Sequence, residues 1–138
     1  MPKKNSAYIL DSSALICLFK EEKGGGFIEK ILRQAENKEV NLYMPAVQYG
    51  EILYITEKEF GLEKRNEVED ILENLPIKIL EIDKKISRVA AGFKAQGGIA
   101  YPDCFVIAIA IKFKASIITK DKEFKKFKDK VDISWCTS

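Results

Sequence analysis

Asp11 follows the unbroken apolar run Ala7-Tyr8-Ile9-Leu10, and Asp121 stands two residues past Ser116-Ile117-Ile118-Thr119. Ligands of open α/β sheets gather outside the carboxyl ends of the strands, so these two acids are expected on one rim. Asp103 opens Cys104 to Phe113, the most apolar stretch of the chain. A carboxylate there gains from the helix dipole, and a simple helix cap is the alternative. Glu51 shares a helical face with Val47, Tyr54 and Ile55, a charge among residues expected to pack inward. Glutamate is seldom buried without a partner, and an exposed surface position is its alternative reading. Four carboxylates meeting in a partly desolvated pocket repel one another, which a divalent cation relieves. A donor set of hard oxygens alone selects Mg²⁺ or Mn²⁺. Such an ion polarises phosphate and acidifies its bound water, equipment best suited to phosphodiester hydrolysis.

Composition narrows the field in the same direction. The chain has no histidine, which removes Ser-His-Asp and Cys-His nucleophiles and any imidazole zinc site. Cys17, Cys104 and Cys136 are odd in number and widely spaced, so they read as small buried hydrophobes rather than a disulfide framework or zinc site. At 138 residues, 46% hydrophobic and with a net charge of +2, one globular domain over 1–138 is expected. The longest clean apolar run, Cys104 to Ile111, is far below the roughly eighteen residues of a membrane span. Ala7 to Leu10 stops at Asp11, too short for the core of a secretory signal, so a cytoplasmic location is expected.

The elements that must carry the acids can be read from periodicity. Strands are expected over Ala7–Leu10, Asn41–Met44, Ile77–Leu80 and Ser116–Thr119, with an edge strand through Val131, Ile133 and Trp135. Between them fall a helix Ala14–Phe19 capped by Ser12 and Ser13, and a second with Phe27, Ile28, Ile31, Leu32 and Ala35 on one side. Gly24-Gly25-Gly26 between these two reads as a turn, since it lacks the Gly-Lys-Ser/Thr ending of a phosphate loop. Pro45 fits the first position of a helix running to Phe60 and ended by Gly61, and Leu62–Leu75 continues helically. Asp83 caps the helix carrying Ile86, Val89, Ala90 and Phe93. The apolar helix after Pro102-Asp103 must lie in the middle, and a short basic helix carries Phe124 and Phe127. Strands alternating with helices predict a three-layer α/β/α domain around a parallel sheet of four or five strands.

Tyr8-Ile9-Leu10-Asp11-Ser12-Ser13-Ala14-Leu15, the mid-chain Glu51, Tyr101-Pro102-Asp103-Cys104-Phe105 and Ile118-Thr119-Lys120-Asp121-Lys122-Glu123-Phe124 together resemble the PIN-domain ribonucleases. Size and motif order are most similar to VapC toxins of toxin–antitoxin pairs. The resemblance implies a PIN-like fold in which Asp11, Glu51 and Asp103 bind Mg²⁺ or Mn²⁺ and Asp121 assists, with Ser13 and Thr119 supporting the site. It further implies an RNA substrate cut to 5′-phosphate and 3′-hydroxyl ends, a homodimer, and a small antitoxin protein that covers the acidic groove. The chain departs from many relatives at Phe105, Val106 and Ile107, where a further acid is common, so a second metal is expected to be loosely held.

Eight lysines against three acids between Lys112 and Lys130 supply positive charge for an RNA backbone, and Lys120 and Lys122 stand closest to the acid motif. Solvated surface lysines are the plainer reading of such a run. Glu57 to Glu73 has the opposite bias, seven acids against three bases, so a polarised molecule is expected. Two alternatives keep the same fold: an RNA-processing nuclease without an antitoxin, and a catalytically silent protein-interaction module. A phosphoaspartate enzyme is disfavoured because Ser13 stands where a second acid belongs.

Overall fold

The apolar runs ending at Leu10 and Thr119 lie side by side at the centre of a sheet, as continuous burial on both faces requires. The computed structural model describes residues 6–136. In order, they form β1 (Ser6–Leu10), α1 (Ser12–Phe19), α2 (Gly25–Glu36), β2 (Val40–Pro45), α3 (Ala46–Phe60) and α4 (Leu62–Glu73). Then come β3 (Lys78–Leu80), α5 (Lys84–Gln96), α6 (Tyr101–Phe113), β4 (Ser116–Thr119), a 3₁₀ helix (Lys122–Phe127) and β5 (Ile133–Trp135). The five strands are ordered β3-β2-β1-β4-β5, and every pairing is parallel. The chain leaves β1 toward β2 on one side and later returns to β4 on the other, so the crevice between the carboxyl ends of β1 and β4 is the topological switch point.

Strand alternation sorts the core into two layers. Ile9 and Ile117 face α5 and α6, with Phe93, Ile107 and Phe124. Leu10 and Ile118 face the other way, toward α1–α4, with Leu15, Ile28, Ile52 and Leu72. This is the three-layer α/β/α architecture expected from the alternation of strands and helices. Among the described residues, no helix is long and apolar enough to cross a membrane.

Several local expectations change. The serines do not cap α1: the cap is Asp11, extended at φ −91° and ψ 172°, whose carboxylate accepts the Ala14 N–H. An ionised acceptor already placed at the strand end takes that amide more strongly than a hydroxyl does. Pro45 lies one residue before α3 and still supplies the extended entry. The inward face of α3 is Gln48, Ile52 and Leu53, whereas Tyr54 is 58% exposed and Glu51 half-buried. Helix α6 is buried from Asp103 to Ala110, but Ile111 and Phe113 reach solvent. The basic segment is 3₁₀ rather than α-helical. Asp83 caps α5 by accepting the Ile86 N–H at 2.8 Å.

All three cysteines are buried and free, with Cys17 and Cys136 in contact. Gly24, at φ +98°, precedes α2 in a turn where any Cβ would lie 2.7 Å from the Cys136 carbonyl oxygen. The glycine there admits a close backbone approach that ties the end of the chain to α2.

Candidate metal centre

Asp11 is 1% exposed, and both of its carboxylate oxygens accept hydrogen bonds. Its Oδ1 accepts the Ser13 hydroxyl at 2.8 Å and the Ala14 N–H at 3.0 Å, and its Oδ2 accepts the Thr119 hydroxyl at 2.5 Å. These bonds favour the charged form, but burial outweighs them and Asp121 adds repulsion, so the carboxyl is pushed up to about 6. Thr119 also accepts the Asp121 N–H at 2.9 Å, and Ser13 accepts the Lys120 N–H at 3.1 Å. Both hydroxyls expected to support the site therefore bind Asp11 to the loop after β4.

Asp103 is the third residue of α6, not its cap: α6 has no side-chain cap, and the Asp103 Oδ1 accepts Gln48 Nε2 at 3.0 Å. Burial chiefly raises its carboxyl to about 7, opposed by the Gln48 bond and reinforced by Asp11, Asp121 and Glu51. Asp103 thus lies within electrostatic reach of Asp11, Asp121 and Glu51, and Asp11 within reach of Asp121. Glu51 Oε1 accepts the Ser12 hydroxyl. Asp121 caps the 3₁₀ helix by accepting the Glu123 N–H at 2.9 Å.

The tightest oxygen set is Asp103, Asp121 and Glu123, with one carboxylate oxygen from each all within 4.8 Å of the others. Neither Asp11 nor Glu51 belongs to that trio. Glu123 is the second residue of the 3₁₀ helix, and its Oε2 also accepts the Ala100 N–H at 3.4 Å, just before α6. The residues fit a hard divalent cation: the donors are all carboxylate oxygen, and two buried acids repel one another without one.

Gln48, Ser12 and Glu123 were not singled out from sequence as site residues. Gln48 had a signal, a polar side chain three residues before Glu51 on a broadly apolar helix. Glu123 had one also, two residues past Asp121 inside the same motif. Lys120 and Lys122 flank Asp121 on the rim; the Lys120 amine donates to the Lys23 carbonyl at 3.1 Å and pairs with Glu22 at 3.7 Å, whereas Lys122 is exposed. Lys114 and Lys130 instead line a cavity with Ser6 and Ala7 at the amino end of the strands, away from the acids.

A parallel sheet with helices on both faces and a cluster of acids at its switch point defines a class of α/β protein whose candidate site lies at the carboxyl rim. The PIN domain family model matches residues 8–130, and the chain belongs to that family. Comparison with curated protein sequences found no match. The fold is similar to VapBC from Salmonella typhimurium (TM-score 0.74, 13% identity, 95% of this chain and 98% of that one). It is also similar to VapBC-1 from nontypeable Haemophilus influenzae (TM-score 0.71, 21% identity, 96% and 99%). A third neighbour is VapC20 of Mycobacterium tuberculosis, described as a Sarcin-Ricin loop cleaving toxin (TM-score 0.70, 12% identity, 87% and 94%).

Proposed function

We propose that the chain is a divalent-metal-dependent endoribonuclease, the toxin of a VapBC-type toxin–antitoxin pair, with residues 1–138 working as one PIN domain. The observation that supports this reading is Asp103 within electrostatic reach of Asp11, Glu51 and Asp121, with burial chiefly raising Asp11 to about 6 and Asp103 to about 7. Membership of the PIN family supports a nuclease. The VapBC neighbours support an antitoxin partner, and VapC20, the Sarcin-Ricin loop cleaving toxin, supports RNA as substrate.

Asp103, Asp121 and Glu123 would hold Mg²⁺ or Mn²⁺, with Asp11 and Glu51 next to them. When bound, the ion polarises the scissile phosphate and lowers the pKa of water. The chain's own residues orient and move protons. Ser13 and Thr119 favour the ionised form of Asp11 against the opposing effect of burial and fix its direction. Asp121 and Glu123, the more solvent-accessible acids of the trio, accept the proton of the attacking water. The water oxygen bonds to phosphorus as the bond to the 3′ oxygen breaks, and that oxygen takes up a proton from solvent, leaving a 5′-phosphate and a 3′-hydroxyl. Lys122 and Lys120 hold the phosphates flanking the cut. The working form is a cytoplasmic homodimer, silenced when a small antitoxin covers the acidic pocket.

The test is incubation of the purified protein with mixed cellular RNA and Mg²⁺ or Mn²⁺, with product ends mapped, beside Asp11→Asn, Glu51→Gln, Asp103→Asn and Asp121→Asn. Metal-dependent cleavage that disappears in the first three supports the reading. Cleavage that survives all three overturns the site assignment. A chain that cleaves nothing under any metal is the silent interaction module instead.

A further inference from the structure

Gln48 is fully buried, and a buried amide must place both its oxygen and its nitrogen. Its Oε1 accepts the backbone N–H of Ser12 at 2.7 Å, and its Nε2 donates to Asp103 Oδ1 at 3.0 Å. The backbone N–H can only donate, so the amide oxygen must face Ser12 and the NH₂ must face Asp103. Ser12 in turn donates its hydroxyl to Glu51 Oε1. A continuous path therefore runs from Asp103 on α6, through Gln48 on α3 and the first residue of α1, to Glu51 on α3.

Every link between the two acids is neutral, and the chemistry explains why. A lysine or arginine at position 48 would orient Asp103 equally well but neutralise it, competing with a cation for the same charge. An apolar residue would leave the buried carboxylate short of a donor. An amide directs one oxygen of Asp103 and leaves the net charge of the pocket intact.

We infer that Gln48 and Ser12 are positioning residues that lock Asp103 and Glu51 into one arrangement before a divalent cation arrives, each holding one carboxylate oxygen and leaving the other to the pocket. The inference rests on the nuclease reading above. Outer partners of this kind set ligand direction, and their loss typically weakens metal binding by about 10- to 100-fold.

The experiment is Mn²⁺ titration calorimetry on the purified chain and on Gln48→Met, Ser12→Ala, Ser12→Thr and the Gln48→Met/Ser12→Ala double variant, with metal-free thermal midpoints recorded for each. Mn²⁺ affinity falls roughly tenfold in each of Gln48→Met and Ser12→Ala. The double variant loses less than the product of the two, because one path is broken twice. Ser12→Thr, which keeps the hydroxyl, stays within about twofold of the unaltered chain. At sub-saturating Mn²⁺ the variants lose kcat while KM for RNA is unchanged. Unaltered Mn²⁺ affinity in Ser12→Ala, losses that multiply, or a lowered thermal midpoint with normal affinity overturns the inference. Should Gln48→Met fail to fold, the contrast between Ser12→Ala and Ser12→Thr decides alone. An unaltered chain that takes up no Mn²⁺ overturns the nuclease reading, and this inference with it.

Discussion

The Thr119 hydroxyl donates to Asp11 Oδ2 at 2.5 Å and accepts the Asp121 N–H at 2.9 Å, so a single oxygen joins the acids that end β1 and follow β4. Thr119→Val keeps the shape and removes both bonds. At pH 8 it is expected to cost about 2 kcal/mol, the scale of a hydrogen bond to a charged group. Cleavage should fall roughly 10- to 100-fold, with Thr119→Ser retaining most of it. Urea unfolding and a cleavage time course check both, and a stable, fully active Thr119→Val removes the hydroxyl from the site.

Asp11 at about 6 and Asp103 at about 7 both lie above the ordinary 3.8 of an aspartate. Between the unfolded and folded values the folded chain keeps protons that the unfolded chain has released. Their contribution is therefore fullest below about pH 4 and is lost as pH rises through 6 and 7. From near pH 5.5 to pH 8 the metal-free protein should lose about 1 kcal/mol through Asp11 alone, with Asp103 adding in the same direction. Saturating Mn²⁺ at pH 8 should restore it. Urea midpoints that do not fall with pH in the metal-free protein contradict this.

Asp103→Asn removes a charge that burial and three neighbouring acids oppose, while its amide oxygen can still accept from Gln48. The variant should be inactive yet more stable at pH 8 without metal, by on the order of 1 kcal/mol or about 3 °C in thermal midpoint. Calorimetric scans of both proteins measure the shift. A lower midpoint would mean that the carboxylate is a net structural support.

Lys122 is exposed on the acid rim, whereas the Lys120 amine is engaged by Glu22 and the Lys23 carbonyl. Lys122→Glu should weaken binding of an inactive variant to RNA across all sequences and lower the salt slope by about 1. Lys120→Glu should weaken it too, and additionally disturb the turn at Lys23. Lys130→Glu, at the opposite end of the sheet, should leave RNA affinity unchanged in filter-binding assays.

Gly24→Ala places a Cβ 2.7 Å from both the Cys136 carbonyl oxygen and its sulfur, at φ +98°. It should destabilise the protein by about 1 kcal/mol or more. Gly26→Ala, inside α2 with nothing within 4 Å, should be neutral or stabilising by up to about 1 kcal/mol. Equal unfolding midpoints for the two variants would show that the contact with Cys136 carries no weight.

Much of the fold was legible before any coordinates because its signals are local. Apolar runs closed by Asp11 and Thr119 mark central strands, the 3.6-residue spacing of Ile86, Ala90 and Phe93 marks a helix face, and Asp83 sits where a cap is needed. The four acids stand out in the sequence for a related reason: each occupies a strand end or a helix position at which charge is out of place. The inward face of α3 was misjudged, since a broadly apolar helix does not announce which side meets the core, and Gln48 rather than Glu51 lies innermost.

Residue types and periodicity thus determined the layers, the strand ends and the acids carried there, all of which depend on neighbours a few positions away. Packing alone decided that Glu123 completes the oxygen trio and that Ser12 and Gln48 connect Asp103 to Glu51. Those bonds join residues 36, 39 and 55 positions apart, and no short-range preference encodes them. They exist because two parallel strands deliver their loops to one crevice, where buried polar groups must find partners on whichever element lies opposite.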